Sequence, residues 1–126
     1  MNVLERLRDA FARSHGARID VAADPSLSTL PAAVATAAYR IVQEALANVA
    51  RHARATSVGI SAAITDGTLL VVVEDNGVGI ARKAVGQGDG GYGLEGMRER
   101  ASLVRGSLRS ERPTAGGTRV TLEVLL

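Results

Sequence analysis

Glu44 and Asn48 stand four residues apart in a stretch with helical patterning, which sets their side chains one turn apart on a single face. A carboxylate and an amide oxygen arranged this way can together hold a hydrated Mg2+, an ion that takes hard oxygen ligands and keeps several waters. Arg51 and His52 follow about a turn later, within reach of phosphate oxygens. The plain alternative is that every amphipathic helix carries a polar face, and His52 alone reads as a satisfied boundary residue.

A second group of residues lies in Val71-Val72-Val73-Glu74-Asp75-Asn76-Gly77-Val78-Gly79. An apolar run ends abruptly in an acid followed by two glycines. Asp75 is then partly desolvated at the lip of a core, which costs free energy unless a donor faces it. An exocyclic amine such as that of adenine is a suitable donor. Gly77 and Gly79 leave backbone that a flat ring can approach. Asn76-Gly77 is also a strong hairpin signal, but the residues after Gly79 (Ile80-Ala81-Arg82-Lys83) do not alternate as a return strand would.

Two further elements complete the pattern. Gly90-Gly91-Tyr92-Gly93-Leu94-Glu95-Gly96-Met97 is a glycine loop entering a helix, and backbone N–H groups at a helix start attract anions; the alternative is a plain connector. Gly86, Gly88 and Gly91 match a dinucleotide fingerprint by spacing, but no strand immediately precedes them, and no P-loop motif exists. Gly116-Gly117-Thr118 reads as a strand-entry turn whose Thr118 hydroxyl can share a water with Asp75 and a bound base. In this order and spacing the four elements point to ATP as ligand.

These residues need elements to hold them in place. Residues 2–14 have helical spacing, and 17–23 alternate as a short edge strand before Asp24-Pro25-Ser26 breaks the chain. Pro31 opens a helix running to about Ala53, roughly six turns. Its core arc holds Ala38, Ile41, Val42, Ala45, Leu46 and Val49; Arg40, Glu44, Asn48 and Arg51 share the opposite arc. Residues 57–64 and 68–74 form strands joined at Thr65-Asp66-Gly67. Residues 75–92 read as loop. A second helix begins near Gly93 or Leu94 and ends before Gly106, with Leu94, Met97, Ala101 and Val104 inward. Residues 107–111 and 117–125 form two more strands. The expected fold is α+β: one mixed sheet with helices on one face, a two-layer sandwich.

Composition sets outer bounds. The chain has 126 residues, 46% hydrophobic and 22% charged, enough for one domain with its own core. Phe11, Tyr39 and Tyr92 are its whole aromatic content, so the broad stacking surfaces of single-strand binders are missing. Fifteen basic residues against 13 acidic give a net charge of +2, and the basic residues are scattered, so no nucleic-acid partner is expected. The absence of cysteine and the presence of only two histidines, His15 and His52, exclude thiol chemistry and multi-histidine metal sites. There is no signal-peptide pattern and no apolar run near the ~18 residues of a membrane span. A cytoplasmic chain without direct membrane contact is expected.

The motifs resemble those of the ATP-binding catalytic domain of bacterial sensor histidine kinases, in the superfamily shared with type II topoisomerase ATPase subunits, Hsp90 and MutL. Residues 39–53 (YRIVQEALANVARHA) look like the family's N box, 75–79 (DNGVG) like its first glycine box, 91–100 (GYGLEGMRER) like its second, and Gly117-Thr118 like its last turn. The wording of the first and third is similar to the subfamily paired with helix-turn-helix response regulators. The resemblance covers about residues 17–126. It implies the Bergerat-type ATP-binding fold, with a left-handed βαβ arrangement and an ATP lid over 80–92; with the helical spacing of the first residues, the reading is a single catalytic domain over 1–126 that includes an N-terminal helix in 1–16. It also implies ATP and Mg2+ as cofactors. Glu44 and Asn48 would be the catalytic pair, with Asn48 on Mg2+ and Glu44 supporting the ion, directly or through water, or the incoming nucleophile. Arg51 and His52 would meet phosphates, and Asp75 would accept from adenine. Gly77, Val78, Gly79, Ile80, Gly91, Tyr92, Gly93, Leu94 and Thr118 would complete the nucleotide site.

The family's phosphoacceptor histidine sits on a dimerising helix, followed by an acid, upstream of the N box. His15 precedes Gly16 and His52 lies inside the N box, so neither fits. The resemblance thus implies a monomeric catalytic domain that passes the γ-phosphoryl of ATP to a histidine on a separate dimerisation domain, for relay to a response regulator. The parent kinase can carry a membrane anchor elsewhere. The short lid lacks the phenylalanine-containing box of the larger kinase subfamily. Two other functions fit the same residues: an anti-sigma-factor serine kinase, against which the Gly-Leu-x-Gly-Met-Arg-Glu-Arg run argues, and a non-catalytic module switched by nucleotide, against which Glu44 and Asn48 argue.

Overall fold

The computed structural model describes residue 9 and residues 18–53, 55–77, 94–113 and 116–126, the side chains of 52 and 53 excepted. The expected N-terminal helix over 2–14 and the 80–92 lid lie outside the described residues, apart from Asp9, which is helical. The order is β1 (Arg18–Ala23), a 3₁₀ turn (Pro25–Thr29), α1 (Ala32–Asn48), a π-turn (Val49–Ala53), β2 (Ser57–Thr65), β3 (Thr68–Asp75), α2 (Leu94–Ser102), β4 (Gly106–Glu111) and β5 (Thr118–Leu125). Among the described residues no helix is long and apolar enough to cross a membrane.

The five strands form one mixed sheet in the order β1-β2-β3-β5-β4. β1 lies at the edge, parallel to β2, with Arg18 opposite Ser57. Parallel neighbours need a crossover, usually a helix, and α1 supplies it. β2 and β3 are an antiparallel hairpin. Asp66 (φ 51°) and Gly67 (φ 73°) both take left-handed backbone at its tip, the conformation whose twist matches a two-residue hairpin. β3 is therefore central, flanked by β2 and β5.

Period-two alternation sorts the sheet into two faces. Val58, Ile60 and Ala62 of β2, Leu69, Val71 and Val73 of β3, and Val120, Leu122 and Val124 of β5 are buried against the helices. α1 contributes Ile41, Val42, Ala45 and Leu46 to the same cluster, and α2 contributes Leu94, Met97 and Ala101. Each of the Val, Leu, Ile and Met side chains contributes about 1.5–3 kcal/mol through its burial, and the alanines less. The other face carries ion pairs, Arg119 to Glu74 at 3.0 Å and Arg109 to Glu123 at 3.1 Å, which are half-exposed and add little stability. The expected α+β sandwich is the observed architecture.

Two local departures from the sequence pattern shape the region around Asn48 and the chain before α1. The helix that periodicity extends to Ala53 changes from α to π after Asn48, and such turns occur often at functional sites. The break at Asp24 is a capped 3₁₀ turn in which the Asp24 carboxylate accepts from the Ser26 N–H at 3.0 Å.

Candidate functional site

The period that buries Leu69, Val71 and Val73 carries Asp75 to the same inward face, at the last residue of the central strand. Its neighbour across the ladder is Thr118, the first residue of β5. The C-terminal end of α1 lies above them. Ala45, Asn48, Val49, Val73, Asp75, Thr118 and Val120 line a small recess that opens to solvent. Beside it, the Arg51 side chain joins Asn48 to Glu44.

Three polar residues are almost fully buried around it: Asn48 at 2%, Thr118 at 4% and Asp75 at 5% exposure. The Asp75 carboxylate is held by backbone: the Gly77 N–H donates to Oδ1 at 2.7 Å, and the Thr118 N–H also donates. Burial still dominates and raises the carboxyl above its ordinary pKa; the two N–H donors oppose the rise, and Glu74 nearby adds slightly to it. A carboxylate has about four lone-pair directions, so these two donors leave room for an amine on the recess side.

Gly117 makes this arrangement possible. It holds φ at +85°, and a Cβ there would lie 1.9 Å from the Asp75 carbonyl oxygen. Only glycine lets β5 approach β3 closely enough to present its N–H groups to the carboxylate. Asn76 closes the other side. Its Oδ1 accepts from the backbone N–H of Thr56 at 2.9 Å and of Ser57 at 3.1 Å, and its Nδ2 donates to Thr56 Oγ1 at 2.9 Å. The side chain thereby ties the segment leaving the π-turn to the end of β3. Sequence spacing presents Asn76 only as half of a turn dipeptide; the available signal is that an Asn at a strand end commonly caps nearby backbone.

On α1, the Arg51 Nη2 donates to Asn48 Oδ1 at 3.0 Å and lies 3.5 Å from Glu44 Oε1. Glu44 and Arg51 are about half exposed. Asn48, expected on the solvent arc, is instead buried in the recess wall. A helical wheel distinguishes core from solvent and has no third category for a cavity between a helix end and a sheet. The Leu94 side chain, expected at the nucleotide, packs in the core and does not line the recess; its helix-start backbone is what remains for a ligand. Glu44, Asn48, Arg51, Asp75, Gly77 and Thr118 are thus brought together, directly or through neighbours. Val78, Gly79, Ile80, Gly91, Tyr92, Gly93 and the His52 side chain lie outside the described residues.

Among the described residues no group of three or more His, Cys, Asp or Glu side chains could hold a metal. A dedicated protein cage is therefore not what Glu44 and Asn48 make. Two hard oxygen donors one turn apart do fit Mg2+ held mainly by phosphates and water.

A family model described as histidine kinase-, DNA gyrase B-, and HSP90-like ATPase matches residues 33–126. This chain belongs to that ATPase family. The oxygen sensor histidine kinase NreB of Staphylococcus carnosus is 35% identical over 114 residues, which cover 90% of this chain and 33% of NreB. The nitrate/nitrite sensor protein NarQ of Escherichia coli is 30% identical over 122 residues, 96% of this chain and 21% of NarQ. Among solved structures, a blue-light activated histidine kinase from Erythrobacter litoralis superposes with a TM-score of 0.80 at 26% identity, covering 98% of this chain and 40% of that one. The ATP binding domain of PrrB from Mycobacterium tuberculosis gives 0.71 at 26% identity, covering 98% and 90%. The chain thus spans a third or less of the length of NreB and NarQ and nearly all of an isolated ATP binding domain.

Proposed function

We propose that this chain is the ATP-binding catalytic domain of a two-component sensor histidine kinase, which holds Mg2+-ATP and delivers its γ-phosphoryl to a histidine on a separate dimerisation domain, for relay to a response regulator. The observation that carries this reading is the buried Asp75 facing the Asn48 end of α1 across a small recess. Asp75 accepts a hydrogen bond from the exocyclic amine of adenine, with Gly77 and Thr118 keeping its carboxylate in place. Val78, Gly79 and Ile80 join the site by their position in the glycine motif that follows Asp75. The triphosphate leaves the recess past Asn48 toward Arg51, and the motif positions of His52, Gly91, Tyr92, Gly93 and Leu94 add them as further phosphate contacts. Asn48 Oδ1 and the Glu44 carboxylate are the oxygens that would hold Mg2+, which when bound supplies charge neutralisation on the phosphates.

Transfer breaks the bond between the γ-phosphorus and the β–γ bridging oxygen, and ADP leaves with that electron pair. An imidazole nitrogen of the acceptor forms the new N–P bond. Phosphoryl transfer asks the protein chiefly for positioning and charge compensation, which a domain that lends its nucleotide to an acceptor elsewhere can supply. Cytoplasmic ATP and a membrane-anchored or soluble parent are both compatible with this role.

Calorimetry with a non-hydrolysable ATP analogue tests the reading. Binding is expected, and it should strengthen when Mg2+ is added. Absence of binding in both conditions, or binding that Asp75→Asn leaves unchanged, would overturn the site.

A further inference from the structure

We propose that Arg51 is a resident counter-cation for the oxygens of α1, and that a divalent ion must displace it to use Asn48. This rests on the proposed nucleotide site and adds a competition that the site does not require. One guanidinium nitrogen, Nη2, donates to Asn48 Oδ1 at 3.0 Å and approaches Glu44 Oε1 at 3.5 Å. Those are the two side chains whose hard oxygens fit a metal held by phosphates and water. Arg51 lies three and seven residues beyond them, just past the change from α to π geometry, and its side chain folds back along the stripe they share.

The guanidinium is always charged and offers only donors, so in the absence of metal it satisfies the same acceptors that a cation would. An amide oxygen has two lone pairs, yet sharing them is unfavourable. A metal at its usual ~2.1 Å contact beside a guanidinium on the same oxygen would place two cations within about 4–5 Å of each other, where they repel. Asn48 is buried, so the two cannot separate by turning its oxygen out to solvent. Metal and Arg51 therefore occupy this oxygen alternately. The metal-free chain holds divalent ions weakly, and the ion enters with the nucleotide, whose phosphates give the displaced guanidinium new acceptors.

The test uses Mn2+ alone as the probe, with the nucleotide-free chain, and water-proton relaxation to report bound metal. Arg51→Ala should bind Mn2+ about fivefold more tightly than the parent chain, the size of one net hydrogen bond. The gain should vanish in Asn48→Ala/Arg51→Ala. Arg40→Ala removes an equal charge one turn before Glu44, on a residue with an exposed side chain, and should stay within about twofold of the parent because no hydrogen bond to Asn48 is lost. Where Arg51→Ala lowers the folded fraction, Arg51→Gln repeats the measurement with a similar stem and no charge. Unchanged Mn2+ affinity, an equal gain in Arg40→Ala, or a gain that persists without Asn48 would overturn the inference. ATP-analogue calorimetry on the parent chain separates the two levels: intact nucleotide binding with unchanged Mn2+ affinity removes the competition alone, and lost nucleotide binding removes the reading beneath it.

Discussion

At Asp75, stability and ligand binding make opposite demands. Burial raises its carboxyl above the ordinary aspartate value despite the donors from Gly77 and Thr118. The folded chain therefore holds that proton more tightly than the unfolded chain does. Between the ordinary and the raised pKa, stability falls as pH rises, and above the raised pKa the full cost of the buried charge is present. Asp75→Asn removes that charge. It should raise the thermal midpoint at neutral pH and flatten the pH dependence of stability in that window, as followed by circular dichroism. The same change should weaken ATP-analogue binding by about 1–3 kcal/mol, because an amide can turn its NH2 toward the adenine amine and leave two donors face to face. Arg51→Ala, acting at a half-exposed side chain, should cost less affinity. In the parent chain, affinity should be lost on acidification at a pH above the ordinary aspartate value, since only the carboxylate accepts from the amine. Gly117 acts through shape alone. Alanine there must both adopt φ +85° and place a Cβ 1.9 Å from the Asp75 carbonyl oxygen. Gly117→Ala should cost about 3 kcal/mol or more in urea denaturation, with ligand binding reduced even where the chain folds, because β5 must move away from Asp75.

Patterns that repeat within one element were legible in the sequence, whereas contacts between elements were not. The apolar run 71–73 marks a buried strand ending in an acid, but that reading stops the strand at 74 and leaves Asp75 in the loop, whereas the structure makes Asp75 the last residue of β3, on the inward face with Val71 and Val73. Thr65-Asp66-Gly67 carries its own turn chemistry, and the left-handed backbone at Asp66 and Gly67 is the result. The burial of Asn48 depends on where β5 and β3 sit beneath the end of α1, and no helical wheel contains that information. The switch from α to π after Asn48 has no marking glycine or proline in Val49–Ala53. The Asn76 clamp joins residues 19 and 20 apart in the chain, a pairing that spacing alone does not announce. This clamp gives a prediction for the joint between elements. Asn76→Ala removes two acceptor contacts and one donor contact at an exposed position, where water replaces part of the loss, so it should cost about 1 kcal/mol. Asn76→Asp keeps both backbone contacts and should cost less. Hydrogen exchange at the Thr56 and Ser57 amides should accelerate in the alanine variant more than in the aspartate variant. Equal acceleration in both would mean that the contacts do not hold the segment.

At the scale of the whole molecule, the proposed function requires an acceptor for the phosphoryl group. The chain spans 33% of NreB and 21% of NarQ, so most of each of those proteins lies outside the matched region. His15 and His52 are the histidines this sequence contains, and His52 sits in the π-turn at the end of the helix that carries Asn48, not on a separate acceptor helix. If the acceptor belongs to a different folded unit, transfer from this chain supplied alone is bimolecular. Labelled ATP with the chain by itself should then leave little label on protein. Adding a cognate dimerisation domain should label that domain at an initial rate that rises in proportion to its concentration, and joining the two by a flexible linker should replace that dependence with an effective concentration in the millimolar range. The labelled product should be lost in acid and survive in base, as a phosphorus–nitrogen bond is. An acid-stable product would mean a hydroxyl acceptor and remove the histidine kinase reading; one that is also lost in base would favour the serine kinase reading. Asn48→Asp should abolish labelling in every mixture if the amide is needed to position the metal-bound phosphates. Labelling that persists at the parent rate would remove Asn48 from the reaction while leaving the nucleotide recess intact.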